Sequence, residues 1–359
     1  MVHVTLLFLA AMADGGVIDA GVVSDAGYDA GNPATWRLSA KLGPSAGLGT
    51  GKGALREALI ADLTFSKKDA GVGETALTRE EAEALLGDPR TELVYGDKTV
   101  SIVAPSMMTR HRQEHVDMMK LFLLPERVEA GAKFMQEKQA VLETTEKRTG
   151  VDREVIIGIL MWESKLGTIT GNYFAFNALA SQAFFIDEAN AVALAREDEK
   201  ALLSGGAVKG KKKPTDEELA KIASAKAEAE KTQARRVETI RNRARRNLLA
   251  LVRQCKTRGI DPLSVKGSWA GAIGFPQFMP ASLRWAEDGN GDGKIDLFEM
   301  DDAIASVGRY LSSAGFKKSA RDAVYDYNHE AAYVDGVLAF AAALKAPPDG
   351  GTVTGAAAP

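Results

Sequence analysis

The chain has 359 residues, 45% of them hydrophobic and 26% charged, a composition that fits a globular protein with a real core and excludes a disordered or fibrous one. A formal net charge of −3 creates no demand for a polyanionic partner, so nucleic acid is not expected as a ligand. The lone cysteine, Cys255, cannot form an internal disulfide and leaves the redox compartment open.

The first residues, MVHVTLLFLAAMA, form a short apolar run closed by Ala11-Met12-Ala13, a small-x-small cleavage pattern. Residues 1–13 therefore read as a signal peptide, although His3 stands in for the usual Lys or Arg and a ragged apolar tail stays open as the alternative. No cysteine follows the run, so no lipid anchor is expected, and no other stretch is long and apolar enough to span a bilayer. Residues 14–36 repeat Asp-Ala-Gly without apolar periodicity and read as a flexible tether. Residues 347–359 read as a disordered tail.

Residues 37–125 carry short helical patterns and read as an N-terminal helical subdomain. TREEAEALLGDP has a Thr cap, acids in its first turn and a Gly-Asp-Pro stop. TELVYGDKTVSIVAPS has a strand-turn-strand look around Gly96-Asp97. HRQEH, His111 to His115, spells the inverted zinc-protease motif, but no third ligand follows it, and an exposed polar helix is the expectation. LPERVEAGAKFMQEKQAVLETTEKRTG predicts one long amphipathic helix, with Asp152 capping the next. Residues 126–346 read as the main domain, interrupted at about 190–246 by a mostly solvated helical hairpin rich in Ala, Glu, Lys and Arg. Its KGKKKP run reads as a soluble loop rather than a site for an anionic surface.

GILMWESKLG, residues 158–167, poses a chemical question. Val155, Ile159, Trp162 and Leu166 form an apolar stripe, and Glu163 lies beside it. A carboxyl held among apolar groups resists ionisation and keeps its proton near neutral pH, as a general acid must. A structural Glu hydrogen-bonded to a neighbour is the alternative on these residues alone.

Asp288-Gly-Asn-Gly-Asp-Gly-Lys-Ile-Asp-Leu-Phe-Glu299 has the spacing of an EF-hand loop. Asp288, Asn290, Asp292 and Asp296 fall at positions 1, 3, 5 and 9, Gly293 at 6 and Glu299 at 12, with the Lys294 carbonyl expected at 7. A calcium ion is expected there, and because no second such loop occurs its expected role is to staple the fold. No organic cofactor is expected.

The ordered series WESKLG, GNYFAFNALASQAF, KGSWAGAIGFPQFMPASLRWA, DGNGDGKIDLFEMDDAIASVGRYL and YDYNHE resembles the lytic murein transglycosylases of the B type, glycoside hydrolase family 103. The likeness runs from about Arg127 to Leu344, around the charged hairpin. It implies a mainly α, lysozyme-like fold with a small strand element, the EF-hand-like loop at 288–299 and the hairpin as an insertion. It implies a lyase that cuts peptidoglycan glycan strands, with Glu163 protonating the bridging oxygen and then accepting a proton from the C6 hydroxyl of N-acetylmuramic acid. That hydroxyl attacks C1 of its own sugar and leaves a 1,6-anhydro end, so one carboxyl does the work of the usual two.

By the same resemblance Ser268 and Gln277 lie near Glu163 and bond it or the sugar, and Phe278 helps form the floor. Tyr327 and Asn328 are cleft residues, Asn328 holding an N-acetyl group, and Tyr310 is either a cleft tyrosine or a core aromatic. The resemblance also brings in Asp302 as a rival to Glu299 for closing the calcium loop. Glu-Ser-Lys-Leu-Gly stands where Glu-Thr-Arg-Trp-Gly is usual, and Asn177 stands where an Asp is usual. A monomer acting in the periplasm or cell envelope is implied. A lysozyme-type hydrolase and a non-catalytic wall-binding module are the rival readings.

Overall fold

The computed structural model describes residues 36–38, 52–64, 77–95, 97–105, 120–204 and 215–346. The expected signal peptide, most of the tether, the C-terminal tail, the His111/His115 pair and the KGKKKP run lie outside them.

Helices α1 (Lys52–Thr64) and α2 (Arg79–Gly87) come first. Thr78 caps α2 as its sequence predicts: its hydroxyl accepts from the Glu81 N–H at 3.2 Å while the Glu81 carboxylate accepts from the Thr78 N–H at 2.7 Å. Strand β1 (Trp36–Leu38) pairs antiparallel with β2 (Leu93–Tyr95), Trp36 opposite Tyr95. Trp36, the last residue of the expected tether, is thus part of a strand. The second strand expected after Gly96 is instead a helix, α3 (Asp97–Val103). One helical turn sends Thr99, Val100, Ile102 and Val103 into the core together, and that burial overrides the strand preference of their branched side chains.

The single amphipathic helix expected next is two, α4 (Pro125–Glu137) and α5 (Gln139–Thr149). The break falls at Lys138 (φ −107°, ψ 22°), whose ammonium group reaches Asp301 at 2.6 Å. Helix α6 (Arg153–Ser164) is buried from Val155 through Ser164. Asp152 occupies its N-cap position but does not cap it; its carboxylate accepts from Lys345 Nζ instead.

Helices α7 (Ala175–Ser204) and α8 (Asp216–Arg258) pack along each other. At 43 residues α8 is about 65 Å long by the helical rise of 1.5 Å per residue. The charged hairpin is thus rooted in two core helices, of which it is the continuation. Residues 223–232 are exposed, whereas Val237, Ile240, Ala244, Leu248 and Leu251 are buried at helical spacing. Strand β3 (Tyr173–Phe174) pairs with β4 (Lys266–Gly267), and a loop segment with a 3₁₀ turn at Pro280–Trp285 leads to α9 (Met300–Ser313), α10 (Ala320–Tyr327) and α11 (Ala331–Lys345).

Two hydrophobic cores result. The first joins α1, α2, β2 and α3 to α7, α8 and the segment 263–297; the second joins Phe122 and α4, α5 and α6 to α9, α10 and α11. The buried apolar residues from Leu59 to Val103 thus share a core with the middle of the chain, whereas Phe122 belongs to the second core. Tyr310 and Tyr327 pack against both cores and mark the seam between them.

Candidate active site

Glu163 sits in the last turn of α6, 4% exposed, on the second core's side of the seam. The turn that follows is strained: Lys165, Leu166 and Gly167 have φ of 46°, 55° and 88°, and two of the three are not glycine. It is over-determined by hydrogen bonds. Leu166 N–H donates to Leu160 O at 3.1 Å, Gly167 N–H to Ser164 Oγ at 3.0 Å, and Ile169 N–H to Ser164 O at 2.9 Å. The chain is thereby turned away directly after the carboxyl.

Tyr333 of α11 donates its hydroxyl to Glu163 Oε1 at 2.9 Å. Trp162 stacks on Phe122 with ring centroids 4.0 Å apart, and Tyr333 meets both rings edge-on at 6.1 and 6.4 Å. This apolar box pushes the Glu163 carboxyl up to about 8; desolvation raises it, and the Tyr333 hydrogen bond pulls partly back. At neutral pH the group carries a proton.

From the first core comes the segment around Ser268 to Phe278. Gly271 and Gly274 (φ 85° and 71°) have no room for a side chain: a Cβ would lie 2.5 Å from Leu179 Cγ and 2.3 Å from Leu297 Cβ respectively. These glycines serve close packing against protein rather than close approach of a ligand. Ser268 is buried and its hydroxyl accepts from the N–H groups of Ala270 and Ala272 at 3.3 and 3.1 Å, so its bonds go to its own loop and not to Glu163. Gln277, at φ 50°, donates its amide to Gly274 O at 2.7 Å. Its Oε1 is buried without a hydrogen-bond partner among the described residues, and so is Asn328 Nδ2.

The tyrosines join the two sides. Tyr327 donates its hydroxyl to Pro276 O, and its ring lies 6.0 Å from Phe278 and 5.0 Å from Tyr310. Tyr310 donates to Asp326 O at 2.9 Å and packs 5.6 Å from Phe278 and 4.8 Å from Trp285. Burial pushes the Tyr310 hydroxyl up to about 12 and holds Tyr327 and Tyr333 well above the usual phenol range, with Glu163 adding to the shift of the latter two. Tyr327, Tyr310 and Phe278 are thus one connected group, with Gln277 and Asn328 directly adjoining it in the chain, and the Glu163 charge acts on the Tyr327 hydroxyl.

Tyr333 is the residue that motif reading overlooks. Its signal lies in the sequence: one hydroxyl-bearing ring in the apolar run AAYVDGVLAFAAAL, where a buried tyrosine needs a hydrogen-bond partner.

The 288–302 loop is a ladder of side chains accepting from backbone. Asp288 accepts from Gly291 and Gly293 N–H, Asn290 from Asp292, Asp292 from Lys294 and Asp296 from Phe298, at 2.6 to 2.9 Å. Glu299 caps α9, accepting from Asp301 and Asp302 N–H at 2.8 and 3.2 Å. Asp302, 2% exposed, ties the loop's two ends by accepting from Gly289 and Asp296 N–H at 2.8 and 2.7 Å. Among the described residues, no three His, Cys, Asp or Glu side chains converge as a metal-holding group.

Residues 75–331 match the family described as the transglycosylase SLT domain. Over 206 residues the chain is 28% identical to membrane-bound lytic murein transglycosylase B of Escherichia coli strain K12, covering 57% of this chain and 43% of that protein. It thus spans less than half the length of this curated relative. Among solved structures it is similar to the Escherichia coli lytic transglycosylase SLT35 in complex with calcium, with a TM-score of 0.53 at 19% identity over 81% of this chain and 92% of that one. It is also similar to SltB3 of Pseudomonas aeruginosa in complex with NAG-anhNAM-pentapeptide, with a TM-score of 0.51 at 17% identity over 82% of this chain and 78% of that one. These likenesses give the fold: mainly α and lysozyme-like, as the ordered motifs implied. With well over half its length matched, the chain belongs to the transglycosylase SLT domain family.

Proposed function

We propose that the protein is a lytic transglycosylase that cuts the β-1,4 bond between N-acetylmuramic acid and N-acetylglucosamine in peptidoglycan. The observation that carries this reading is the buried, protonated Glu163 in a site whose other expected members are neutral. The buried acids among the described residues are Glu163 and Asp302, and both oxygens of Asp302 are engaged in its own loop. A paired-carboxylate mechanism needs two acids across the scissile bond.

The step balances with one. Glu163 gives its proton to the glycosidic oxygen, the C1–O bond breaks, and the sugar bearing the new hydroxyl leaves. The C6 oxygen of the muramic residue bonds to C1, and its proton returns to Glu163. No water enters. The two partnerless groups suit the substrate: Gln277 Oε1 can accept from an acetamido N–H, and Asn328 Nδ2 can donate to an acetamido carbonyl. The relative named for lytic murein action and the solved neighbour bound to an anhydro-muropeptide support the same reading. Such a substrate places the protein in the cell envelope; no described helix is long and apolar enough to cross a membrane. Mass spectrometry of digested murein tests the proposal: fragments one water lighter than lysozyme products are expected, and reducing ends would make the protein a hydrolase.

Tyr333→Phe removes the one bond that favours the carboxylate, so the Glu163 pKa should rise and the alkaline limb of the pH–rate profile should move to higher pH. An unmoved limb would mean that Glu163 does not set it.

A structural calcium ion belongs to the same proposal. Asp288, Asn290, Asp292, Asp296 and the Lys294 carbonyl would hold it, each engaged oxygen still having a lone pair to offer, and the solved relative bound to calcium supports this. Asp302, which already bridges the N–H groups of Gly289 and Asp296 at the loop's two ends, would close the site, while Glu299 Oε2 caps α9. Calcium should raise the melting temperature of the wild type and of Glu299→Ala, but not of Asp302→Ala. The reverse pattern would assign closure to Glu299.

A further inference from the structure

Arg243 of α8 is 7% exposed and, among the described residues, has no acid beside it. Its Nη2 donates to Gln182 Oε1 at 3.2 Å, its Nε has no partner, and the one charge acting on it is the like charge of Arg246. Burial pushes its pKa down to about 10. An uncompensated buried guanidinium is costly, and an apolar side chain of that size would serve a core better.

What Arg243 does is orient an amide. Arginine only donates, so Gln182, 1% exposed on α7, must turn its carbonyl oxygen toward it. That leaves Gln182 Nε2 facing the other way, where it donates to the Trp269 carbonyl at 3.0 Å. One turn along α8, Asn247 donates to Arg243 O at 3.0 Å and accepts from the Ala281 N–H at 3.1 Å. The α7–α8 pair therefore grips the segment carrying Gln277 and Phe278 at both ends, Trp269 and Ala281.

We propose that Arg243 and Gln182 are positioning residues for this segment, setting where the sugar chain is held against Glu163. The inference rests on the glycan-cleaving reading above. The discriminating variant is Gln182→Glu. It gives Arg243 the carboxylate it lacks, so the melting temperature should hold or rise, yet it removes the N–H that holds Trp269 O. KM for glycan strands should rise about tenfold, the scale of one lost buried hydrogen bond, with kcat changed less. Hydrogen exchange over 268–281 should quicken while α9 to α11 are unchanged. Arg243→Met should raise KM and Arg243→Lys, still a donor only, should largely restore it. Wild-type KM in Gln182→Glu, or a melting temperature falling in step with activity, would overturn the proposal. The exchange measurement needs no turnover, so a wild type that releases no glycan fragments would sink the function while leaving the loop contact separately tested.

Discussion

Glu163→Gln should lower release of anhydro-muropeptides by about a thousandfold, within the range that a positioned general acid contributes. It should also be the more stable protein at alkaline pH. The wild-type carboxyl titrates near 8 in the folded state against an ordinary value of 4.5. Between those values the unfolded chain has released a proton that the folded chain still holds, so wild-type stability is full below about 4.5 and falls as pH rises toward 8. The amide has no such loss and still accepts from Tyr333. The gap in favour of the variant should therefore be near zero at pH 4 and reach on the order of a few kcal/mol at pH 8, read by urea unfolding at the two values. Equal gaps at both would show that the carboxyl is ionised in the native protein.

Trp162→Ala should destabilise the fold by about 4 kcal/mol, the usual scale for deleting a buried large aromatic. Trp162 is 2% exposed, stacked at 4.0 Å on Phe122 and met edge-on by Tyr333 of α11. The same deletion hydrates Glu163. Its pKa should drop toward the ordinary carboxylate range, and the alkaline limb of activity should move to lower pH. Trp162→Phe keeps most of the stacking and should show both effects in milder form. A variant that loses stability while its pH profile stays put would separate the box from the titration of the acid.

How much of this was legible beforehand follows from what each residue reports. The α2 cap and the acid of α6 rest on neighbours one helical turn away, and local spacing reveals them. The α3 helix did not show, because DKTVSIV has the composition of a strand and only its burial among distant residues makes it helical. The break at Lys138 and the failure of Asp152 to cap both turn on ion pairs with Asp301 and Lys345, more than a hundred and fifty positions away. Tyr333 makes one long-range hydrogen bond, to Glu163, and Gln182 makes two, to Trp269 and from Arg243. The charged hairpin was recognisable by composition, but its root was not, since the apolar spacing from Val237 to Leu251 sits under a heavy dressing of arginine.

The arrangement of Glu163 on one apolar body and Gln277 and Phe278 on the other has a thermal consequence. Each body keeps its helices by burying its own side chains, whereas the proposed reaction needs both halves held in register across Tyr310 and Tyr327. Warming should thus extinguish turnover at temperatures where circular dichroism still reports nearly undiminished helix, the join parting before either half melts.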